Sequence, residues 1–164
     1  MQFEFAEWRA LAAQMLTGSP HARALGLTLV ELERDHAILK APYNLDLVGD
    51  PETGVIAGGV VTALLDHTCG QAAGAALSQP MPVATLDLRI DYMRPAEPGL
   101  DLYAHARCIR LTRTVAFIRA EAYERTRDDP VATAQAAFML TSPLGRGFGA
   151  NLKPRGSKAS EGLG

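Results

Sequence analysis

Between Gly54 and Gly70 the chain reads Gly-Val-Ile-Ala-Gly-Gly-Val-Val-Thr-Ala-Leu-Leu-Asp-His-Thr-Cys-Gly, apolar at nearly every position around a single acid, Asp66. The spacing predicts a helix over about 58–77. Advancing about 100° per residue, such a helix places Gly59, Thr62, Ala63, Asp66, Gly70, Ala73 and Gly74 on one side. Val60, Val61, Leu64, Leu65, Ala72, Ala75 and Ala76 fall on the other. A helix apolar around most of its circumference belongs inside a protein. A carboxylate there must be hydrogen-bonded, neutral or at the edge of a cavity, because burying it unpaired is costly. Its small neighbours leave room for a second backbone or a ligand. The plainer alternative is that Asp66 caps a loop or pairs with a buried polar group.

The flanking patterns supply the partner for this helix. Phe5, Trp8, Leu11, Ala12, Met15 and Leu16 recur at helical spacing and predict an amphipathic helix over about 3–17, ended by Gly18-Ser-Pro20. Strands are expected over 25–33 and 36–42, joined at Arg34-Asp35, followed by a turn-rich loop from 42 to 53. After the central helix come four strand patterns, 84–93, 100–111, 114–125 and 131–141. In the first, Leu86, Leu88, Ile90 and Tyr92 alternate with Thr85, Asp87, Arg89 and Asp91. In the second, the alternation slips between Cys108 and Leu111, which predicts a bulge or the sheet's rim. Long one-sided strands and one buried helix predict an α+β fold, a curved antiparallel sheet wrapped around the helix.

Composition narrows the function classes. The chain has 164 residues, 48% apolar and 21% charged, with a net charge of −2. Those values describe a globular protein without the basic surface that bulk nucleic-acid binding requires. Residues 1–142 are expected to form a single domain, and 143–164 a glycine-rich basic tail that is flexible. Glu4 and Glu7 interrupt the first apolar pattern, so it does not read as a signal peptide. No segment reaches the ~18 uninterrupted apolar residues of a membrane span. Cys69 and Cys108 lie in apolar patterns and read as reduced core residues of a cytoplasmic protein. No Cys/His spacing suits a metal.

Taken together, the Gly58-Gly59 helix start, the acid seven residues on, and the run Thr85-Leu-Asp-Leu-Arg-Ile-Asp-Tyr-Met-Arg-Pro-Ala96 resemble the hotdog-fold acyl-CoA thioesterases, the 4-hydroxybenzoyl-CoA thioesterase superfamily and within it the phenylacetate-degradation type. The resemblance spans roughly residues 20–142. It implies hydrolysis of an acyl-CoA thioester carrying an aromatic or medium-chain acyl group, without a cofactor, coenzyme A being part of the substrate. Asp66 takes the family's acid position, as general base or as nucleophile. Backbone N–H groups of Gly58 and Gly59 fall where the thioester oxygen is held, in keeping with the field at a helix N-terminus. Thr85 matches a hydroxyl that orients water, although an exposed strand threonine needs no such role. Ala57, Val60 and Thr62 at the helix start, with Asp50 from the preceding loop, are the implied substrate contacts. Asn44 and Glu52 are further candidates for the loop's polar group. The family's active sites lie between subunits, which implies a homodimer or homotetramer.

One departure stands out: the family's His-Gly-Gly is Ala57-Gly58-Gly59 here. It keeps open a second reading, a non-catalytic protein that binds or senses acyl-CoA. His67 adjoins Asp66, but neighbours on a helix point about 100° apart, so it reads as a packing or interface residue. His21, His36 and His105 are assigned no chemistry. Asp87, Arg89 and Asp91 read as a solvated or subunit-facing surface.

Overall fold

A computed structural model describes residues 5–140; the expected basic tail lies outside them. Helix α1 (Phe5–Gly18) leads into a short α2 (Pro20–Ala24). Ser19 accepts from the Ala22 N–H, and Pro20 opens the helix where its missing donor costs nothing. Leu25, its C-cap, and Gly26 turn where a strand was expected to begin, so β1 is only Thr28–Leu32. It pairs with β2 (His36–Ala41) as an antiparallel hairpin. The expected loop from 42 to 53 is more ordered than its turn residues imply. Asn44 caps a 3-10 turn over Leu45–Leu47, and β3 (Val48–Asp50) pairs with β4 (Val55–Ile56).

Helix α3 (Gly58–Ala75) is followed by β5 (Val83–Tyr92), β6 (Leu102–Leu111), β7 (Val115–Tyr123) and β8 (Ala132–Leu140). The six long strands form one antiparallel sheet in the order β1-β2-β6-β7-β8-β5. The helix lies chiefly against β2, β6 and β7. Val61, Leu64, Leu65 and Cys69 meet Leu39, Leu102, Ile118 and Phe138 in the core. Much of the sheet's inner face is alanine, including Ala37, Ala104, Ala106, Ala120 and Ala136, all buried. Such short side chains let a curved sheet close around a helix at short range. The α+β expectation therefore holds, and the predicted slip is a bulge between Cys108 and Arg110.

Two expectations need correction. First, α3 is not enclosed on every side. Gly58, Gly59 and Thr62 are exposed and Asp66 is half-buried. Helix α1 covers only the far end, where Trp8 lies so close to Gly74 that a Cβ there would sit 2.7 Å from its Cζ2. Second, β5 does not alternate without interruption. Its register with β8 shifts between Thr85, opposite Phe138, and Asp87, opposite Ala137. Leu86 is the extra residue and is 55% exposed. One extra residue reverses the phase, so Thr85 shares the helix-facing side with Leu88, Ile90 and Tyr92, not the opposite side. Among the described residues, no helix is long and apolar enough to cross a membrane.

Candidate active site

The bulge brings Thr85 of β5 to α3. Thr85 Oγ1 donates to Asp66 Oδ1 at 2.9 Å, and Oδ2 has no hydrogen-bond partner among the described residues. A carboxylate fixed at one oxygen and free at the other can still take a proton or attack a carbon. Beside it opens a cleft of about 270 Å³, lined by Trp8, Met15, His67, Gly70, Met81 and Phe138 among others. The His67 ring stacks on His21 at 5.7 Å between centroids. Burial pushes its pKa below the usual histidine value, and the Asp66 charge only partly opposes this. No hydrogen bond joins His67 to Asp66 among the described residues, in keeping with their divergent directions on the helix.

The second group lies at the start of α3. Ala57 precedes the helix in extended geometry and provides no side-chain cap. The first N–H groups of a helix have no partner within it, so the exposed Gly58 and Gly59 present donors outward. A Cβ at Gly59 would meet nothing within 4 Å, which leaves the approach open. Tyr92, at the far end of β5, donates its hydroxyl to the Gly58 carbonyl at 2.8 Å. Thr62 Oγ1 lies 2.8 Å from the same hydroxyl and 3.2 Å from that carbonyl. The 3-10 turn and β3 brace the start of the helix from the other side: Ala57 N–H donates to Leu47 O, and a Cβ at Gly49 would lie 2.8 Å from Ala57 Cα. A second cleft, about 310 Å³, runs past Gly58, Val61, Tyr92 and Met93.

The structure thus brings Thr85 to Asp66, and Thr62 to the Gly58–Gly59 turn. Val60 is buried in the core cluster. Asp50 accepts from the Thr53 hydroxyl at 2.7 Å and the Glu52 N–H at 3.0 Å, closing its own turn. The Thr53 hydroxyl, then the Glu52 amide, hold its carboxyl below the usual range. Asn44 is likewise engaged as a cap, accepting from the Asp46 N–H. Tyr92 is the site residue that sequence reasoning missed. Its place in an Asp91-Tyr-Met-Arg-Pro95 run at the strand's end was visible, and so was its side of the strand, with Leu88 and Ile90, but its bond to the Gly58 carbonyl is a tertiary contact.

A family model, "Thioesterase superfamily", matches residues 53–131, which include both groups. The medium/long-chain acyl-CoA thioesterase YigI of Escherichia coli K12 is 28% identical over 134 residues, covering 74% of this chain and 85% of that protein. A Halobacterium salinarum relative is 35% identical over 94 residues, 56% of this chain, and the match spans only 61% of that protein's length. Among solved structures, a Pseudomonas aeruginosa protein is 40% identical with a TM-score of 0.74, over 83% of this chain and 98% of that one. A variant of the phenylacetic acid degradation protein PaaI of Thermus thermophilus is 27% identical with a TM-score of 0.64, over 74% and 98% of the two chains. With a helix held in a curved antiparallel sheet and these matches across it, the chain has the hotdog fold, and its residues 53–131 are similar to the thioesterase superfamily.

Proposed function

We propose that the protein hydrolyses acyl-CoA thioesters, with Asp66 as the reacting carboxylate. The observation that carries this is the Thr85–Asp66 hydrogen bond at the edge of an apolar cleft. In one route Asp66 takes a proton from water as its oxygen attacks the thioester carbon. In the other the carboxylate attacks directly, and water then cleaves the mixed anhydride. Either way the carbon–sulfur bond breaks and coenzyme A leaves as its thiol. Gly58 and Gly59 N–H groups stabilise the oxyanion, and Tyr92, through the Gly58 carbonyl, sets that turn's position. Neither route needs a metal or redox cofactor. Thr85→Val is expected to lower kcat/KM about tenfold, the worth of one hydrogen bond to a charged group, as steady-state thiol release would show.

Helix geometry supports a site shared by two chains. Gly59 and Asp66 are seven residues apart, roughly 10 Å along the axis at about 1.5 Å per residue. One thioester carbon cannot meet both within a single protomer. The free edge of β5 carries the exposed Leu86, Tyr92 and Met93, a surface suited to a second copy. We therefore assign a homodimer in which each site pairs Asp66 of one chain with the glycine turn of the other. Mixing tests it. Asp66→Ala and Gly59→Val chains, each inactive alone, should form mixed dimers with about half the native activity, since one of two sites is intact. Mixed dimers without activity would place each site within one chain.

Ala57, where the resembling family has histidine, favours a second reading as a non-catalytic acyl-CoA binder. Thiol release across a panel of acyl-CoAs separates the two. Turnover supports the enzyme, whereas saturable binding without turnover supports the binder.

A further inference from the structure

The cleft beside Asp66 is walled by residues of α1 as well as by α3 and the sheet. Trp8 is buried at 8% exposure and forms one wall of the cleft. Its six-membered ring lies on the α3 backbone at Gly74, with a Cβ there only 2.7 Å from Cζ2 and 3.3 Å from Cη2. Gly74 is eight residues past Asp66, roughly 12 Å along the helix axis. A chain running from Asp66 past Gly70 therefore meets the indole face.

We propose that Trp8 sets the length of acyl group the protein accepts; this rests on the assignment of Asp66 to thioester hydrolysis. The volume agrees with a limit. A cavity of about 150 Å³ holds one benzene, so about 270 Å³ takes a ring with a few carbons or a chain of medium length. The indole N–H is informative too. It is buried and has no hydrogen-bond partner among the described residues, whereas a buried tryptophan N–H usually finds one. Among the described residues Trp8 is thus held by packing, and what the position supplies is a large flat stop. Gly70 is its complement. A Cβ there would meet the Phe138 ring at 3.5 Å, an ordinary contact, so a methyl can enter the cleft wall without displacing the sheet.

The test is a chain-length profile of kcat/KM from butyryl-CoA to hexadecanoyl-CoA. Trp8→Leu should raise the hexadecanoyl-to-octanoyl ratio at least ~10-fold, and Gly70→Ala should lower the octanoyl-to-butyryl ratio severalfold, since single methylene-sized changes in apolar pockets discriminate on this scale. Should Trp8→Leu fail to fold, Trp8→Phe, which removes no hydrogen bond, carries the same test with a smaller expected shift. A profile from a folded, active Trp8 variant that superposes on the native one overturns the Trp8 assignment and leaves Asp66 standing. Loss of all native turnover on the panel would instead overturn the Asp66 reading, and this inference with it.

Discussion

Asp66→Asn is expected to lower kcat for acyl-CoA hydrolysis by at least ~100-fold with the fold intact. The replacement keeps the side chain's size, and the amide oxygen can still accept from Thr85 Oγ1, whose bond to Asp66 is 2.9 Å. Asp66 is only half-buried on the open side of α3, so losing the charge has little structural consequence. What disappears is the capacity to take a proton or attack carbon. General acid–base catalysis by a placed group is worth 10²- to 10⁴-fold. KM should change little, because the groups that hold the acyl chain are apolar and unaltered. Steady-state thiol release, with size-exclusion chromatography to verify assembly, measures the effect. A kcat within about threefold of native would sink the assignment. In a single turnover in ¹⁸O-water, label in Asp66 would establish the anhydride route, with water attacking the Asp66 carboxyl carbon, whereas direct attack by water labels the product acid alone.

What could be read from the chain, and what could not, follows from the range of the forces involved. The apolar run around Asp66 and the one-sided strands are local periodicities, and they located α3 and β5 to β8 to within about two residues. Even the slip at Cys108 was visible, because Ile109 and Leu111 break their own strand's alternation. The bulge at Leu86 was not. Leu86 is apolar and fits the uninterrupted pattern, and what displaces it is the register with Phe138 and Ala137 on a strand some fifty positions later. That one non-local event decides whether Thr85 faces the helix on the same side as Tyr92. The small face of α3 was legible as a stripe, but its covering was not. Trp8 closes the end at Gly74 while the turn at Gly59 stays open, and the pairing of α1 with α3 is a tertiary choice with no signature in either segment. Asp50 was misleading for the opposite reason. A turn acid that satisfies its own backbone looks, in sequence, like one available to a ligand.

Arg94→Met is expected to cost about 3 kcal/mol of stability at neutral pH, the scale on which a buried carboxylate reacts to losing its partner. Glu124 has a side chain 2% exposed, and the Arg94 guanidinium grips it with both nitrogens, at 2.6 and 3.1 Å. The Glu97 N–H adds a third bond at 2.7 Å. Arg94 also reaches the Asp129 side chain and carbonyl, so the group ties the end of β5, just past Tyr92, to the loop between β7 and β8. Burial alone would raise the Glu124 carboxyl. The guanidinium and the Glu97 amide outweigh it and hold the carboxyl below the usual carboxylate value. Its contribution is therefore fully present above the unfolded carboxylate range and lost as pH falls through the lower folded value. Without Arg94 burial acts against a single amide donor, the direction reverses, and the charged form becomes the penalised one. The cost of Arg94→Met should accordingly be largest near pH 7 and shrink below the unfolded carboxylate range, which chemical unfolding at pH 7 and in mild acid would measure. Equal losses at both pH values would mean that Arg94 contributes packing rather than charge. Adding Glu124→Leu should recover most of the loss, because the stranded carboxylate is gone and the exposed Glu97 N–H can turn to water. The recovery would be of stability alone. The end of β5 that carries Tyr92 to the Gly58 carbonyl would have lost its anchor, so the double variant should unfold like the native protein and still hydrolyse thioesters more slowly.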